Sequence, residues 1–161
     1  VVFDSQELAC LHEAGHAEAA LSAGARVVEM ELYRESPRSW GRTRAHRTEE
    51  QRQPIALGGF AVEYRLFRAG RLVKQSGEAP TEAEFISYSM DNAIDDRVAF
   101  FGKDSAGPDG LWPPDLDRQF MSYAIGYAER SMRFELVERI AHALLAAGKL
   151  DEASISSIIA G

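Results

Sequence analysis

The stretch "LACLHEAGHAEAALSAG", residues 8 to 24, decides the fold of this 161-residue chain. Its apolar residues recur at helical spacing, Asp4 or Ser5 can cap its beginning, and Gly24 is a natural stop. Alanines and a glycine fill most of the remaining positions, so the helix offers little surface suited to water. The sequence therefore predicts a helix over residues 5 to 23 that packs closely inside the protein.

Among the polar residues of this mostly small and apolar helix, three form a recognisable motif. His12, Glu13 and His16 form the pattern H-E-x-x-H, and histidines four residues apart lie on one helix face, where both imidazoles can reach one cation. A zinc ion held there lowers the pKa of a water molecule toward about 7, and the glutamate takes the proton and passes it to the departing amine. Gly15 costs a helix about 1 kcal/mol, which indicates that backbone or substrate approaches closely at that point.

A small sheet is predicted after the first helix. "RVVEMELYRE", residues 26 to 35, alternates apolar and polar side chains as a half-buried strand does. "SPRSWG" turns the chain, and "GRTRAHR", residues 41 to 47, returns as an arginine-rich edge strand. Helical spacing resumes in "QPIALGGFAVEYRLFRAG", residues 53 to 70.

The second half of the sequence is predicted to be helical. Thr81 and Glu84 have the spacing of a capping box, followed by a helix to residue 101 and by the breaker-rich segment "GKDSAGPDGLWPP". A long helix is expected over residues 115 to 147, ended by Gly148, and "DEASISSIIA" adds a short final helix. The predicted fold class is mainly α (α+β), a single domain over residues 1 to 161 with a small β-sheet or hairpin.

Composition limits the kinds of partner. A net charge of −7 argues against a protein that coats nucleic acid or an anionic membrane. The single cysteine, Cys10, excludes an internal disulfide and favours a cytoplasmic location. No apolar run approaches the roughly 20 residues that span a bilayer, so no membrane association is expected.

Three segments resemble one known family, the peptidase domain of the FtsH-type membrane AAA proteases. "LHEAGHA" at 11 to 17 is similar to the motif helix of that family, "LGGFAVE" at 57 to 63 to its Gly-Gly-x-Ala-x-Glu segment, and "ERIAHALLAAGKLDEASI" at 138 to 155 to its C-terminal helix. The order of the three segments is also that of the family. The resemblance covers most of the chain, and its first segment is the most specific.

The resemblance implies a helical zincin-like fold in which His12 and His16 hold Zn²⁺ and Glu13 is the general base. It implies an acidic third ligand from a later helix, and a peptide or unfolded-protein substrate added along an edge strand at residues 40 to 46. FtsH-type peptidases assemble as rings, which leaves a homo-oligomer open. The sequence has no G-x-x-x-x-G-K-[ST] segment, so the family's ATPase is missing from this chain and proteolysis is expected to reach only flexible segments or small peptides.

The third ligand has to be chosen among six acids: Glu84, Asp91, Asp95, Asp96, Asp115 and Asp117. On a helix over residues 82 to 101 the apolar side chains predict a buried face made of Ile86, Met90, Ala93, Ile94, Val98 and Phe101. Asp95 points away from that face and Asp91 lies well outside it, whereas Asp96 is nearer the boundary of the core. "NAIDD", residues 92 to 96, is also the segment most similar to the Gly-Ala-x-Asn-Asp signature of the family, so Asp96 is the predicted ligand.

The leading hypothesis is a zinc-dependent, ATP-independent metalloendopeptidase. The alternative is a catalytically degenerate member of the family that binds peptides or serves as an adaptor, a reading favoured by the missing ATPase. A purely structural zinc site is a third hypothesis, but such sites need four protein ligands and use cysteine more readily than a chain with one cysteine can.

Overall fold

A computed structural model describes residues 1–34, 39–102 and 112–161 of the chain. Half of the turn predicted in "SPRSWG" (residues 36–38) and most of the break after residue 101 (residues 103–111) lie outside these ranges. In the described part the chain is mainly helical with a small antiparallel sheet, which confirms that part of the predicted fold class. The elements in chain order are α1 Gln6–Ser22, β1 Arg26–Arg34, β2 Ser39–His46, α2 Arg52–Ala56, α3 Gly58–Arg68, α4 Glu82–Asn92, α5 Ile94–Phe101, α6 Pro114–Arg130, α7 Phe134–Ala147, β3 Lys149–Asp151 and α8 Glu152–Ala160.

Helix α1 lies at the centre of the fold. The Ser5 hydroxyl accepts a hydrogen bond from the Leu8 N–H, 3.1 Å away, and Gly24 follows the helix with φ 77°. The predicted helix is therefore confirmed to within one residue at each end. Residues 13 to 20 are all buried, because α1 packs against α3 and α7 and against both strands of the β1–β2 pair. Small side chains all round the helix allow this close packing.

The sheet has the strand order β2-β1-β3, with both pairings antiparallel. Met30 of β1 is fully buried and pairs with Thr43 of β2 on one side and Leu150 of β3 on the other. β2 is an edge strand, as predicted. The short strand β3 was not predicted. It follows Gly148, whose φ of 74° ends α7 in the left-handed conformation and turns the chain back toward β1.

Two predicted helices contain junctions. The segment predicted as one helix over residues 53 to 70 forms α2 and α3, which meet at Leu57. The helix predicted over residues 82 to 101 begins with the expected capping box but is divided at Ala93, where φ is −87° and ψ is 21°. The first junction coincides with the pair Gly58-Gly59, which is a local breaker signal, whereas no glycine or proline lies near Ala93 and the second junction has no such signal.

The prediction of one helix over residues 115 to 147 is wrong. Helix α6 ends at Arg130, and Arg133, with φ −84° and ψ 79°, makes a turn before α7. The turn lets α6 pack on α3 while α7 packs on α1. Tertiary packing of two apolar faces thus overrides a sequence that carries no local stop signal.

A buried carboxylate joins this turn to the central helix. Glu18 is fully buried and accepts hydrogen bonds from Ser22 Oγ at 2.6 Å, from Arg133 Nε at 2.9 Å and from the Tyr127 hydroxyl. Burial and the bond to Glu18 raise the pKa of Tyr127, so its hydroxyl stays a donor at neutral pH. The cluster fixes α1 against α6 and α7 only two residues from His16.

No described helix combines the length and the apolar character that crossing a membrane requires.

Candidate metal centre

The three residues predicted as metal ligands come together beneath a cleft. His12 and His16 project from one face of α1 with their Nε2 atoms 3.1 Å apart. Asp96 of α5 faces them, with Oδ1 3.1 Å from His16 Nε2 and Oδ2 3.4 Å from His12 Nε2. Two ligands of one tetrahedral zinc ion lie about 3.3 Å apart, so this donor set fits zinc. In the described ranges it is the one group of three or more such side chains with metal-ligand spacing.

The contacts of the two Nδ1 atoms determine the tautomer of each imidazole. His16 Nδ1 lies 2.8 Å from the Ile55 carbonyl oxygen, which can only accept, so this nitrogen carries a hydrogen. His12 Nδ1 lies 2.8 Å from Glu63 Oε1 and donates to that carboxylate. In the neutral form both Nε2 lone pairs then point at the same place as Asp96, whose buried Oδ2 has no hydrogen-bond partner among the described residues. The two imidazole nitrogens and the carboxylate could hold a cation between them in this arrangement.

In the metal-free protein, the pKa values of the three side chains also favour positive charge on the imidazoles beside an ionised Asp96. Burial lowers the pKa of His12, but Asp96 and Glu63 outweigh it and hold the pKa well above its usual value. Burial likewise opposes protonation of His16, and Asp96 raises its pKa in the same way. Burial would raise the pKa of Asp96, yet the two histidines hold it far below its usual range. Without metal, protons on the imidazoles supply the positive charge that a bound ion would replace.

Glu63 of α3 binds Nδ1 of His12, the ring nitrogen that does not face Asp96. The sequence did not predict this role. Glu63 is fully buried, and its Oε1 also accepts a hydrogen bond from Asn92 Nδ2 at 3.3 Å. Its Oε2 has no hydrogen-bond partner within the part of the chain that the structure describes. A carboxylate on the outer nitrogen of a ligating histidine sets the ring orientation and raises its basicity. The sequence did carry a signal, because Glu63 lies one turn after Gly59 on the face of α3 that meets α1.

Gly59 of α3 and Gly15 of α1 allow these two helices to pack closely beside the metal centre. A Cβ atom at Gly59 would meet the His12 ring, 2.7 Å from its Cδ2 atom. A Cβ atom at Gly15 of α1 would lie 2.8 Å from the Gly58 carbonyl carbon and 2.6 Å from Val62 Cγ2. The close approach expected at Gly15 is therefore confirmed, and the approaching group is the backbone of α3.

Glu13 lies beside the centre and touches the edge strand. It is 8% exposed, and Thr43 Oγ1 of β2 lies 2.8 Å from its Oε2 and 3.0 Å from its backbone oxygen. A Cβ atom at Gly41 would lie 3.1 Å from the Glu13 Cδ atom, so glycine lets β2 come this near. Thr43 is the one hydrogen-bond partner of the carboxylate in the described part of the chain, which leaves Oε1 able to accept a proton.

The predicted buried face of the Asp96 segment is only partly right. Met90 and Ala93 are buried as predicted, but Ile94 is 48% exposed, and Phe85, Ser89, Arg97 and Phe100 are buried although they were not predicted to be. The true face is rotated by about one residue, and it places Asp96 toward α1. The prediction took apolar residues as inward and polar ones as outward, whereas Ser89 and Arg97 are both buried here.

The other five candidate acids do not join the two histidines. Glu84 completes the capping box, where hydrogen bonds from Thr81 and Lys74 lower its pKa to about 2. Asp115 pairs with Arg118, and Asp117 pairs with Arg97. Asp91 and Asp95 are exposed and line the cleft further from the imidazoles.

The centre opens into a cleft of about 550 Å³. Residues 40 to 43 of β2 form one wall, and Asp91, Asp95 and Asp96 lie on another. His12, Glu13 and His16 are all in contact with this space. An edge strand, a candidate base and the convergent ligand atoms thus border a single cleft large enough for a stretch of peptide.

No protein-family model matches this sequence, and a search of curated proteins finds no significant match. The geometry of the centre is therefore the basis on which a function can be assigned.

Proposed function

We propose that this chain is a zinc-dependent, ATP-independent metallopeptidase, similar to the peptidase domain of FtsH-type proteases. The observation that carries the proposal is the convergence of His12, His16 and Asp96 on one point beside Glu13. Three protein ligands leave a position of a tetrahedral ion for water or substrate, which is the pattern of catalytic zinc sites. A structural site would be closed by a fourth protein ligand.

A bound zinc ion would polarise the scissile carbonyl and lower the pKa of water toward about 7. The residues of the chain supply the other requirements. Glu63 and the Ile55 carbonyl hold the imidazoles in the tautomer that can bind metal. Glu13 accepts a proton at Oε1 and later delivers it to the amine, while Thr43 keeps its other oxygen in place.

The edge strand supports a peptide as the substrate. In the sheet formed by the described residues, β2 pairs with β1 along one side, and its other side borders the cleft beside Glu13. An extended peptide can pair with this strand through backbone hydrogen bonds, which brings its carbonyl groups past the centre. Since every peptide has the same backbone, this mode of binding requires little side-chain selectivity. The buried, unpaired Cys10 supports a cytoplasmic location.

Cleavage of a flexible peptide in the absence of ATP tests the proposal. We expect the zinc-loaded protein to cut an unstructured polypeptide, to lose this activity in a zinc chelator and to regain it when zinc is returned. A stably folded protein should resist cleavage, because the sequence contains no G-x-x-x-x-G-K-[ST] segment that would supply ATP-driven unfolding. If zinc binds fully but no unstructured chain is cut, the protein is a binding or adaptor module rather than a peptidase.

A further inference from the structure

Arg97 follows the third candidate ligand directly and is almost completely buried, with 7% of its surface exposed. Its guanidinium donates to the Met90 carbonyl oxygen at 2.9 Å and to Asp117 Oδ1 at 2.7 Å. Its Nε lies 3.4 Å from the Ala93 carbonyl oxygen, and the group stacks 4.5 Å from the centre of the Trp112 ring. Through these contacts the buried guanidinium links the end of α4, the start of α5 and the first turn of α6.

The carbonyls that Arg97 binds belong to the junction between α4 and α5. Helix α4 ends at Asn92, and Ala93 departs from helical geometry. The last carbonyls of a helix have no partner within it and need one from elsewhere. The Arg97 guanidinium supplies a partner to the Met90 carbonyl oxygen. Its Nε also contacts the Ala93 carbonyl oxygen, which the Arg97 backbone N–H already binds at 2.9 Å. The side chain thus links the end of α4 to the first turn of α5.

The angle between α4 and α5 affects the metal centre, because both helices contribute polar contacts to it. Before the junction, Asn92 binds Glu63, the partner of His12. After the junction, Asp96 faces both imidazoles. A change at the junction would move the Asp96 carboxylate relative to the two histidines, which belong to a different and more rigidly packed helix.

The guanidinium is itself anchored outside this segment. Asp117 lies in the first turn of α6, and α6 packs against α3, the helix that carries Glu63. The planar guanidinium can bind a carboxylate and backbone carbonyls at once, whereas a lysine ammonium cannot match all of these directions. The chain of contacts therefore runs from α3 through α6 and Arg97 to the third ligand.

We propose that Arg97 is a positioning residue for the metal centre: by tying the α4–α5 junction to α6, it holds the Asp96 carboxylate opposite His12 and His16. The inference depends on the proposed metal site. It means that zinc can be held by all three ligands, His12, His16 and Asp96, only when Arg97 keeps its contacts.

The test measures zinc affinity by competition with a coloured chelator, together with the visible spectrum of Co²⁺ bound in place of zinc. We expect Arg97→Lys and the milder Asp117→Asn to weaken zinc binding by about 10- to 100-fold. The Co²⁺ spectrum should shift toward that of Asp96→Asn, since the carboxylate ligand is displaced. The exposed Arg118→Lys serves as the control and should bind zinc as the wild type does.

A double-mutant comparison separates positioning from general support of the fold. If Arg97 acts through Asp96, Arg97→Lys should have no further effect on zinc affinity in the Asp96→Asn background, and Asp117→Asn should behave likewise. An equal loss in both backgrounds would overturn the inference, as would unchanged affinity and spectrum in the single variants. A wild type that binds no metal would refute the proposed metal site itself and this inference with it.

Discussion

Glu13→Gln should reduce peptide hydrolysis by about 10²- to 10⁴-fold, the usual contribution of a general acid–base group, while the protein keeps its zinc. The carboxamide has nearly the same size, and its oxygen can still accept the hydrogen bond from Thr43 Oγ1. It cannot take up a proton from water. Because Glu13 is not among the convergent ligand atoms, the affinity for zinc should change little.

The measurement is the rate of cleavage of an unstructured peptide by zinc-loaded enzyme, with metal content determined on the same samples. Glu7→Gln is the matched control, since Glu7 is exposed on the first turn of the same helix and should tolerate the change. Full activity of Glu13→Gln with zinc bound would exclude the proposed role of Glu13.

Gly15→Ala should destabilise the protein by about 1–3 kcal/mol, the usual cost of overpacking. Alanine alone would stabilise a helix by about 1 kcal/mol relative to glycine. Here, however, the new methyl group meets the Gly58 backbone and Val62 Cγ2, and the backbone of α3 cannot move away without disturbing Glu63 and His12. The clash should therefore outweigh the gain in helix propensity.

Thermal or urea unfolding of the metal-free protein measures this effect. Gly126→Ala is the matched control, because Gly126 also lies inside a helix but its added methyl group would meet only the flexible end of Arg130. We expect that variant to be as stable as the wild type or slightly more stable. Equal stability of the two variants would show that the contact between α1 and α3 is looser than described.

Local signals predicted the elements that begin and end with clear caps. Ser5, Gly24 and the Thr81–Glu84 pair each act through atoms only a few residues away, and each was found where expected. The turn before α7 and the strand β3 depend on distant partners, Glu18 and β1, and were missed for that reason.

The candidate site was predicted in the same uneven way. His12, Glu13 and His16 share one helix, so their spacing alone places them together. The position of Asp96 in "NAIDD" and its nearness to the core boundary predicted it as the ligand, although the predicted buried face was only partly right. Glu63, Thr43 and Arg97 act across helices and strands, and no pattern of polar and apolar residues predicts which buried polar side chain will meet which partner.

The metal content of the purified protein tests the central claim most directly. We expect about one zinc ion per chain in the wild type and in His142→Ala, whose histidine is exposed on α7, and none in folded His12→Ala. Mass spectrometry under native conditions gives the number, and circular dichroism shows that the variants are folded. Absence of metal from the wild type after zinc is supplied, or an equal content in His12→Ala, would contradict the claim that His12, His16 and Asp96 form a zinc site.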